Sequence, residues 1–460
     1  MRLGAGAAAF FFSTPALAAD LPGATLGLLW GLPFAGLILS IALVPLVAPR
    51  FWHDRHGLVA GLWSAGFLIP SAYVFGTDAT IGAAAHVLID EYVPFIALLF
   101  GLYVISGGFR LRGAFTGTPG SNTAALAGGM ALASFAGTTG ACMVLIRPLL
   151  DANAWRSSQR HLIVFFIFLV GNIGGALTPL GDPPLFVGFL KGVDFFWPTT
   201  ALFLPTLTIA LPLLAAFYGL DRWLAGRDRG TLRPREPVRI DGTPNLFLLI
   251  VVPVVVLATG IWTPTTRWVV LDTVIALDSV VRVAVLGLLA GLSWIVTPRG
   301  LREETGFRWF PIAEVAKLFL GIFVTLVPVI AMLQAGKSGA LGALVSLVQD
   351  PAGVPDNKAY FWLTGLLSSV LDNVPTYIVF FNIAGGDAAA LMGPLHTTLV
   401  AISAGAVFMG ALTYIGNAPN LLVVAIAEDR GVRVPSFLGY LVWSVPILLP
   451  LFALVAWLFF

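Results

Sequence analysis

The 460-residue chain contains one cysteine, Cys142. A single thiol excludes an internal disulfide and a cysteine-built zinc centre. Charge is scarce: Asp, Glu, Lys and Arg together make up 10% of the residues, against roughly 25% in soluble domains. Long polar stretches are missing too. The longest runs from about 221 to 243, which leaves no room for a soluble domain of useful size. No nucleophile–base pair and no metal motif is visible, which argues against an enzyme, and no nucleic-acid partner is expected. What is present is apolar, at 58% of the chain. The composition predicts an all-α polytopic membrane protein.

Apolar runs of spanning length fall at about 24–48, 57–75, 93–109, 161–189, 199–220, 245–262, 281–297, 312–335, 395–427 and 436–458. Residues 1–19 read as a secretory signal, with Arg2, an apolar run and Ala16-Leu17-Ala18-Ala19. Two further stretches, 121–150 and 359–386, are too short for two crossings and too interrupted for one. They are expected to be re-entrant hairpins. Most of the 25 Lys and Arg residues lie in loops that share one face if the first span runs inward, as the positive-inside tendency requires. These are the loops holding Arg50 and Arg55, Arg110 and Arg112, Arg147 to Arg160, Arg222 to Arg239, Arg299 to Arg308, and Arg430 and Arg433. Lys191, Arg267, Lys337 and Lys358 fall outside.

The most informative stretch is Gly171–Phe189, in which Thr178-Pro179-Leu180-Gly181-Asp182-Pro183-Pro184 must break an apolar helix. Proline removes a donor and clashes with the preceding turn. Backbone freed at membrane depth is tolerated only where protein or a polar cavity takes its hydrogen bonds. Gly175-Ala-Leu-Thr178-Pro-Leu-Gly181-Asp182-Pro-Pro184 repeats as Gly410-Ala-Leu-Thr413-Tyr-Ile-Gly416-Asn417-Ala-Pro419, 235 residues later. Asp182 aligns with Asn417. With the topology above the two copies run in opposite directions, so 20–220 and 245–460 are expected to be inverted repeats joined by a basic cytoplasmic linker, 221–244. Ala131–Gly140 aligns with Gly365–Val374 at nearly the same offset, setting Ser134 beside Ser368. Such repeats place a transport site where broken segments meet.

Four tips should converge there: 137–140, 178–182, 372–376 and 413–417. Oxygen atoms of Thr138, Thr139, Asn172, Thr178, Asp372, Asn373, Thr413 and Asn417 would form a cage for a small hard cation, with the histidine and cysteine suited to transition metals missing. Asp182 and Asp372 are the formal charges expected at membrane depth, where an acidic residue is a functional candidate. Burial disfavours a charged carboxylate and a bound cation favours it, so one carboxylate can hold a proton or a cation in turn. Asp372 is expected to be the main titrating group and Asp182 the second. Plainer roles compete with this reading. Asp182 and Asn417 are natural helix N-caps ahead of proline, Asp372-Asn373 suits a local turn, Thr138 and Thr139 could serve tip backbone, and Asn172 could bond a neighbouring helix. Glu314 and Lys317 are spaced for an ion pair. His161 and His396 fall near span ends, where interfacial placement is expected over a proton relay. The Gly128-Gly129 and Gly174-Gly175 pairs suit close helix packing.

Gly-Asn-Ile-Gly-Gly-Ala-Leu-Thr-Pro-Leu-Gly-Asp-Pro-Pro-Leu-Phe (171–186), Leu-Asp-Asn-Val-Pro-Thr-Tyr (371–377) and Gly-Asn-Ala-Pro-Asn (416–420) resemble bacterial sodium:proton antiporters. These belong to the citrate-transporter-like branch of the ion transporter superfamily, related to the NhaD-type antiporters. The resemblance runs from about residue 90 onward. It implies a homodimer in the bacterial inner membrane, a scaffold and an elevator-like transport domain, and coupling ions held by hairpin tips and broken helices. A first ion site would involve Thr138, Thr139, Asn172, Thr178 and Asp182. A second would involve Asp372, Asn373, Thr413 and Asn417. Of these, Asp372, Asn373, Thr178 and Asn417 are the expected sodium ligands. The first tip, Ala-Gly-Thr-Thr-Gly (136–140), departs from many relatives in having no acid or asparagine. The expected activity is exchange of sodium or lithium for protons, with no cofactor, and the alternative is cation-coupled transport of citrate or another carboxylate.

Overall fold

The computed structural model describes residues 21–460 except 114, 229, 231–236, 238, 272 and 351. The expected signal segment and part of the expected linker lie outside the described residues. The chain opens with α1 (Leu32–Val47), α2 (Pro49–Phe75), α3 (Thr77–His86) and α4 (Val93–Ser106). A π-helical turn, Val87–Tyr92, joins α3 to α4 into one spanning unit. That unit begins well before the expected residue 93. Asp78, His86, Asp90 and Glu91 make its first half read as polar, but Glu91 pairs with Lys191 at 2.8 Å.

Next come α5 (Pro119–Ala136), α6 (Thr138–Ala152), α7 (Arg160–Leu169), α8 (Pro183–Leu190), α9 (Trp197–Ala201) and α10 (Phe203–Ala225). They are followed by α11 (Thr243–Ile261), α12 (Leu277–Val296), α13 (Arg299–Glu304), α14 (Phe310–Gln334) and α15 (Gly342–Ser346). The chain closes with α16 (Asn357–Leu371), α17 (Asn373–Ile383), α18 (Ala388–Met392), α19 (His396–Phe408), α20 (Ala418–Asp429) and α21 (Phe437–Phe459). Among the described residues nine segments are long and apolar enough to cross a membrane. The protein is a multi-pass, all-α membrane protein with two short antiparallel ribbons. One pairs β1 (Arg110–Arg112) with β2 (Arg239–Asp241), and the other pairs β3 (Arg267–Val270) with β4 (Thr273–Ala276).

Burial sorts the helices. The segment Arg160–Leu177 is enclosed on almost every side, while α1, α2, α11, α12 and α21 expose most of their apolar surface. A helix apolar all round belongs in an interior or a membrane, so α7 is central and the exposed helices face lipid. The expected span 395–427 is not one helix. It is α19, a 3-10 turn Met409–Ala411 and then α20. The expected span 161–189 is likewise α7, a 3-10 turn Ile173–Leu177 and α8.

Each expected hairpin is a pair of helices packed on each other and joined through a single residue. Between α5 and α6 that residue is Gly137, with φ +75°, and between α16 and α17 it is Asp372, with φ +83° and ψ 145°. Thr118 caps α5 by accepting from Ser121 N, and Asp356 caps α16 by accepting from Lys358 N and Ala359 N. The hairpins match at the same spacing as the broken helices. Gly137 corresponds to Asp372, Thr138 to Asn373 and Ser134 to Ser369, one residue away from the sequence alignment that set Ser134 beside Ser368.

Loop contacts fall into two groups. At one end Arg110 and Arg112 pair with Glu304 at 3.1 and 2.5 Å, Arg112 pairs with Asp241 at 2.5 Å, and Arg430 pairs with Asp151. At the other end Lys191 meets Glu91, and Trp197 Nε1 lies 3.3 Å from His396 Nδ1. Each contact joins loops expected on the same face. Two smaller expectations fail. Glu314 accepts from Trp52 Nε1 at 3.2 Å and makes no ion pair with Lys317. His161 is buried, not interfacial, with its Nε2 2.8 Å from Asp221 Oδ1.

Candidate functional site

The two breaks and the two hairpin tips meet inside the protein. Asp182 ends the first break in an extended conformation and Asn417 ends the second, each directly followed by a helix with proline at its first or second position. Both occupy N-cap positions, yet neither side chain caps its helix. The Asp182 carboxylate, with no exposed surface, is committed elsewhere. Its Oδ1 accepts from Thr138 Oγ1 at 3.3 Å and from Asn417 Nδ2 at 3.2 Å, and its Oδ2 accepts from Asn373 Nδ2 at 2.5 Å. One buried carboxyl group is thus tied to its own hairpin tip, to the opposite hairpin tip and to the opposite break.

Asp372 is half-buried at the second tip. Its Oδ1 accepts from Asn373 N at 2.7 Å, and its carbonyl accepts from Thr376 Oγ1 at 2.9 Å. The plain turn role expected for it is therefore real, but it leaves the second carboxylate oxygen uncommitted. Asn373 links the two acids: its backbone N–H donates to Asp372 and its amide to Asp182. The carbonyl oxygen Oδ1 of Asn373 is buried and has no hydrogen-bond partner, a state that costs free energy unless a ligand takes it up.

Thr178 and Thr413 play matched bracing roles. Thr178 Oγ1 donates to Ser134 O, and Thr413 Oγ1 donates to Ser369 O at 2.5 Å. Each bond ties a break to the descending arm of its own hairpin. Asn172 donates to Ile167 O and to Asn420 Oδ1, both at 2.8 Å, and accepts from Asn417 Nδ2 at 3.1 Å. Asn420 in turn donates to Gly410 O and Thr413 O, which satisfies backbone that the break sets free. Sequence reading missed Asn420. The signal was there, since Asn420 is a second polar residue in the first turn after the second break. At Gly175 a side chain would press on Thr138 Cγ2, 2.7 Å from an added Cβ, and on Asp182 Cβ at 3.0 Å. Glycine is what lets the tip and the break approach. Gly128, by contrast, has open space beside it, so its expected packing role is not seen.

A cleft runs between these tips and the α4 and α14 helices. Its lining includes Leu98, Leu102, Tyr103, Gly137, Thr138, Thr139, Pro183, Ile312, Phe319, Asp372, Asn373, Asn417 and Pro419. Of the expected site residues, Thr138, Thr139, Asp372, Asn373 and Asn417 reach the cleft wall. Asp182, Asn172, Thr178 and Thr413 stand behind it. Among the described residues no Lys, Arg or His lines the cleft. The first residues of α8 and α20 do line it.

A second fully buried carboxylate lies outside the site. Asp221, on α10, pairs with Arg156 at 2.7 Å and with His161, and accepts from Asn122 Nδ2 at 2.9 Å. Asn122 and Asn153 exchange amide hydrogen bonds at 2.9 and 2.8 Å. Paired charge and shared hydrogen bonds make this cluster a joint between α5, α6, α7 and α10.

Residues 23–460 match the family described as "Putative citrate transport" (CitMHS). Two mycobacterial proteins are similar, an uncharacterised transporter of Mycobacterium bovis and one of Mycobacterium tuberculosis. Each is 25% identical over 361 residues, which cover 73% of this chain and 78% of the relative.

Proposed function

Since the chain belongs to the CitMHS citrate-transport family of membrane transporters, we propose that it is a secondary transporter of the bacterial inner membrane that exchanges sodium, or lithium, for protons by alternating access. In this reading 20–220 and 245–460 are inverted repeats, joined by the 221–244 linker, and the two helix hairpins are re-entrant. The observation that carries the proposal is the meeting of Asp182 and Asp372 at Asn373, beside a cleft without a basic side chain. Uncompensated acids with oxygen donors around them attract a small hard cation and repel an anion. Asp372, with an uncommitted carboxylate oxygen on the cleft, is the residue that trades a proton for the cation, and Asp182 holds the tips together around it. Asn373, Asn417 and Thr138 supply further oxygens, with Thr139 at the rim. The lined gap between the tips and α4 and α14 is where a transport domain would slide against a scaffold, each protomer working within a homodimer.

A second reading has its own support. The family description names citrate, and the N-terminal residues of α8 and α20 line the cleft, where partial positive charge favours a carboxylate. Purified protein in proteoliposomes separates the two. The expected result is sodium-dependent proton flux that needs no organic anion. Uptake of labelled citrate without sodium–proton exchange would establish the carboxylate carrier instead.

A further inference from the structure

We propose that the two aspartates form one cation site that belongs to both halves of the chain, so that each protomer binds a single sodium ion and not two. The inference rests on the cation reading above and adds the number and identity of the sites. Two separate sites would keep Asp182 with the first hairpin and Asp372 with the second. The observed bonds cross that division, because Asp182 accepts from Asn373 and Asn417, both of the second half, as well as from Thr138.

The matched positions say why. Gly137 and Asp372 are equivalent, and so are Asp182 and Asn417. In each pair only one member is acidic. A site built from the first half alone would lack its tip carboxylate, and one from the second half alone would lack its break carboxylate. Combined, they supply one complete acidic pair. Thr178 and Thr413 donate to their own hairpins and, unlike Thr138, do not line the cleft, so neither stands where it would complete a second set of ligands. Asn373, which bonds both acids, is fully buried, and its side-chain carbonyl oxygen has no partner. An orphan acceptor on the residue that bonds both carboxylates is what a bound cation would satisfy.

The test is equilibrium binding of radioactive sodium to the purified full-length protein. One ion per protomer is expected. Asp182→Asn and Asp372→Asn should each weaken binding about ten- to a hundred-fold, the scale of a lost charged contact. The exchange Asp182→Asn with Asn417→Asp moves the carboxylate to a position one hydrogen bond away, and it should recover most of the affinity lost in Asp182→Asn. Two ions per protomer overturn the inference while leaving the exchanger reading intact, and so does a double variant that folds yet binds no better than Asp182→Asn. If the double variant does not fold, the stoichiometry decides alone. Wild-type protein that binds no sodium overturns both readings.

Discussion

Asp372 is a residue in a conformation that suits another residue. Its φ of +83° and ψ of 145° lie beside a region used almost only by glycine, and such backbone costs on the order of 1–3 kcal/mol. Gly137 adopts the equivalent conformation in the first hairpin without that cost. An acid kept there has a use beyond the turn. Asp372→Gly is expected to stabilise the protein in detergent by up to about 1–3 kcal/mol of relieved strain, read as a higher melting temperature, while abolishing sodium–proton exchange. Asp372→Asn should abolish exchange without that gain, because the backbone strain stays. Melting curves beside proteoliposome flux check both, and full exchange by either variant would remove Asp372 from the mechanism. At Asp182 the same scale of reasoning answers whether it is only a cap. Its carboxylate makes three side-chain bonds and no capping bond, so the local motif Asp-Pro-Pro names its backbone position and not its work.

At the scale of elements, the breaks are held by matched braces. Thr178 to Ser134 and Thr413 to Ser369 are the same bond made twice, each across 44 residues of sequence. In a membrane the hydrophobic effect does not drive helices together, so packing and hydrogen bonds of this kind carry the association. Replacing either threonine by valine keeps the shape and leaves a serine carbonyl unpaired. Each single substitution should destabilise by about 1–3 kcal/mol, read as a lower melting temperature. The two should behave alike, since the bonds are equivalent. A neutral result at one and a large loss at the other would mean that the two hairpins are held by different means. The Asp221 cluster with Arg156, His161 and the paired asparagines does for the opposite end of α5, α7 and α10 what these braces do near the tips.

Over the whole molecule, the loop contacts separate into two faces, one rich in arginine and one holding Lys191, the β3–β4 ribbon and the Trp197–His396 contact. With Cys142 replaced by alanine, Arg299→Cys should react with a membrane-impermeant thiol reagent only from the cytoplasmic face. Arg267→Cys, on the exposed β3 strand, should react only from the other. Labelling of both positions from one face would show that α12 does not cross the membrane, and would end the proposed inversion of the two halves.

Composition alone determined the class of molecule, because 58% apolar and 10% charged residues leave a chain nowhere to fold but in lipid. The repeated Gly-Ala-Leu-Thr segment located both breaks, since glycine and proline act on local backbone and local backbone is written in local sequence. The same locality limited the rest. The polar start of α3 hid the length of a span, because Glu91 is offset by Lys191 from another element. The thin identity of the hairpins put their alignment one residue off. Which oxygens face a cleft, which brace a helix and which bridge the halves is decided by contacts across nearly 200 residues or more, as between Asn373 and Asp182 or Asn417 and Asp182. Only the tertiary structure brings such partners within hydrogen-bond reach. No short window could have revealed Asn420 as a brace, or joined the two acids through one asparagine.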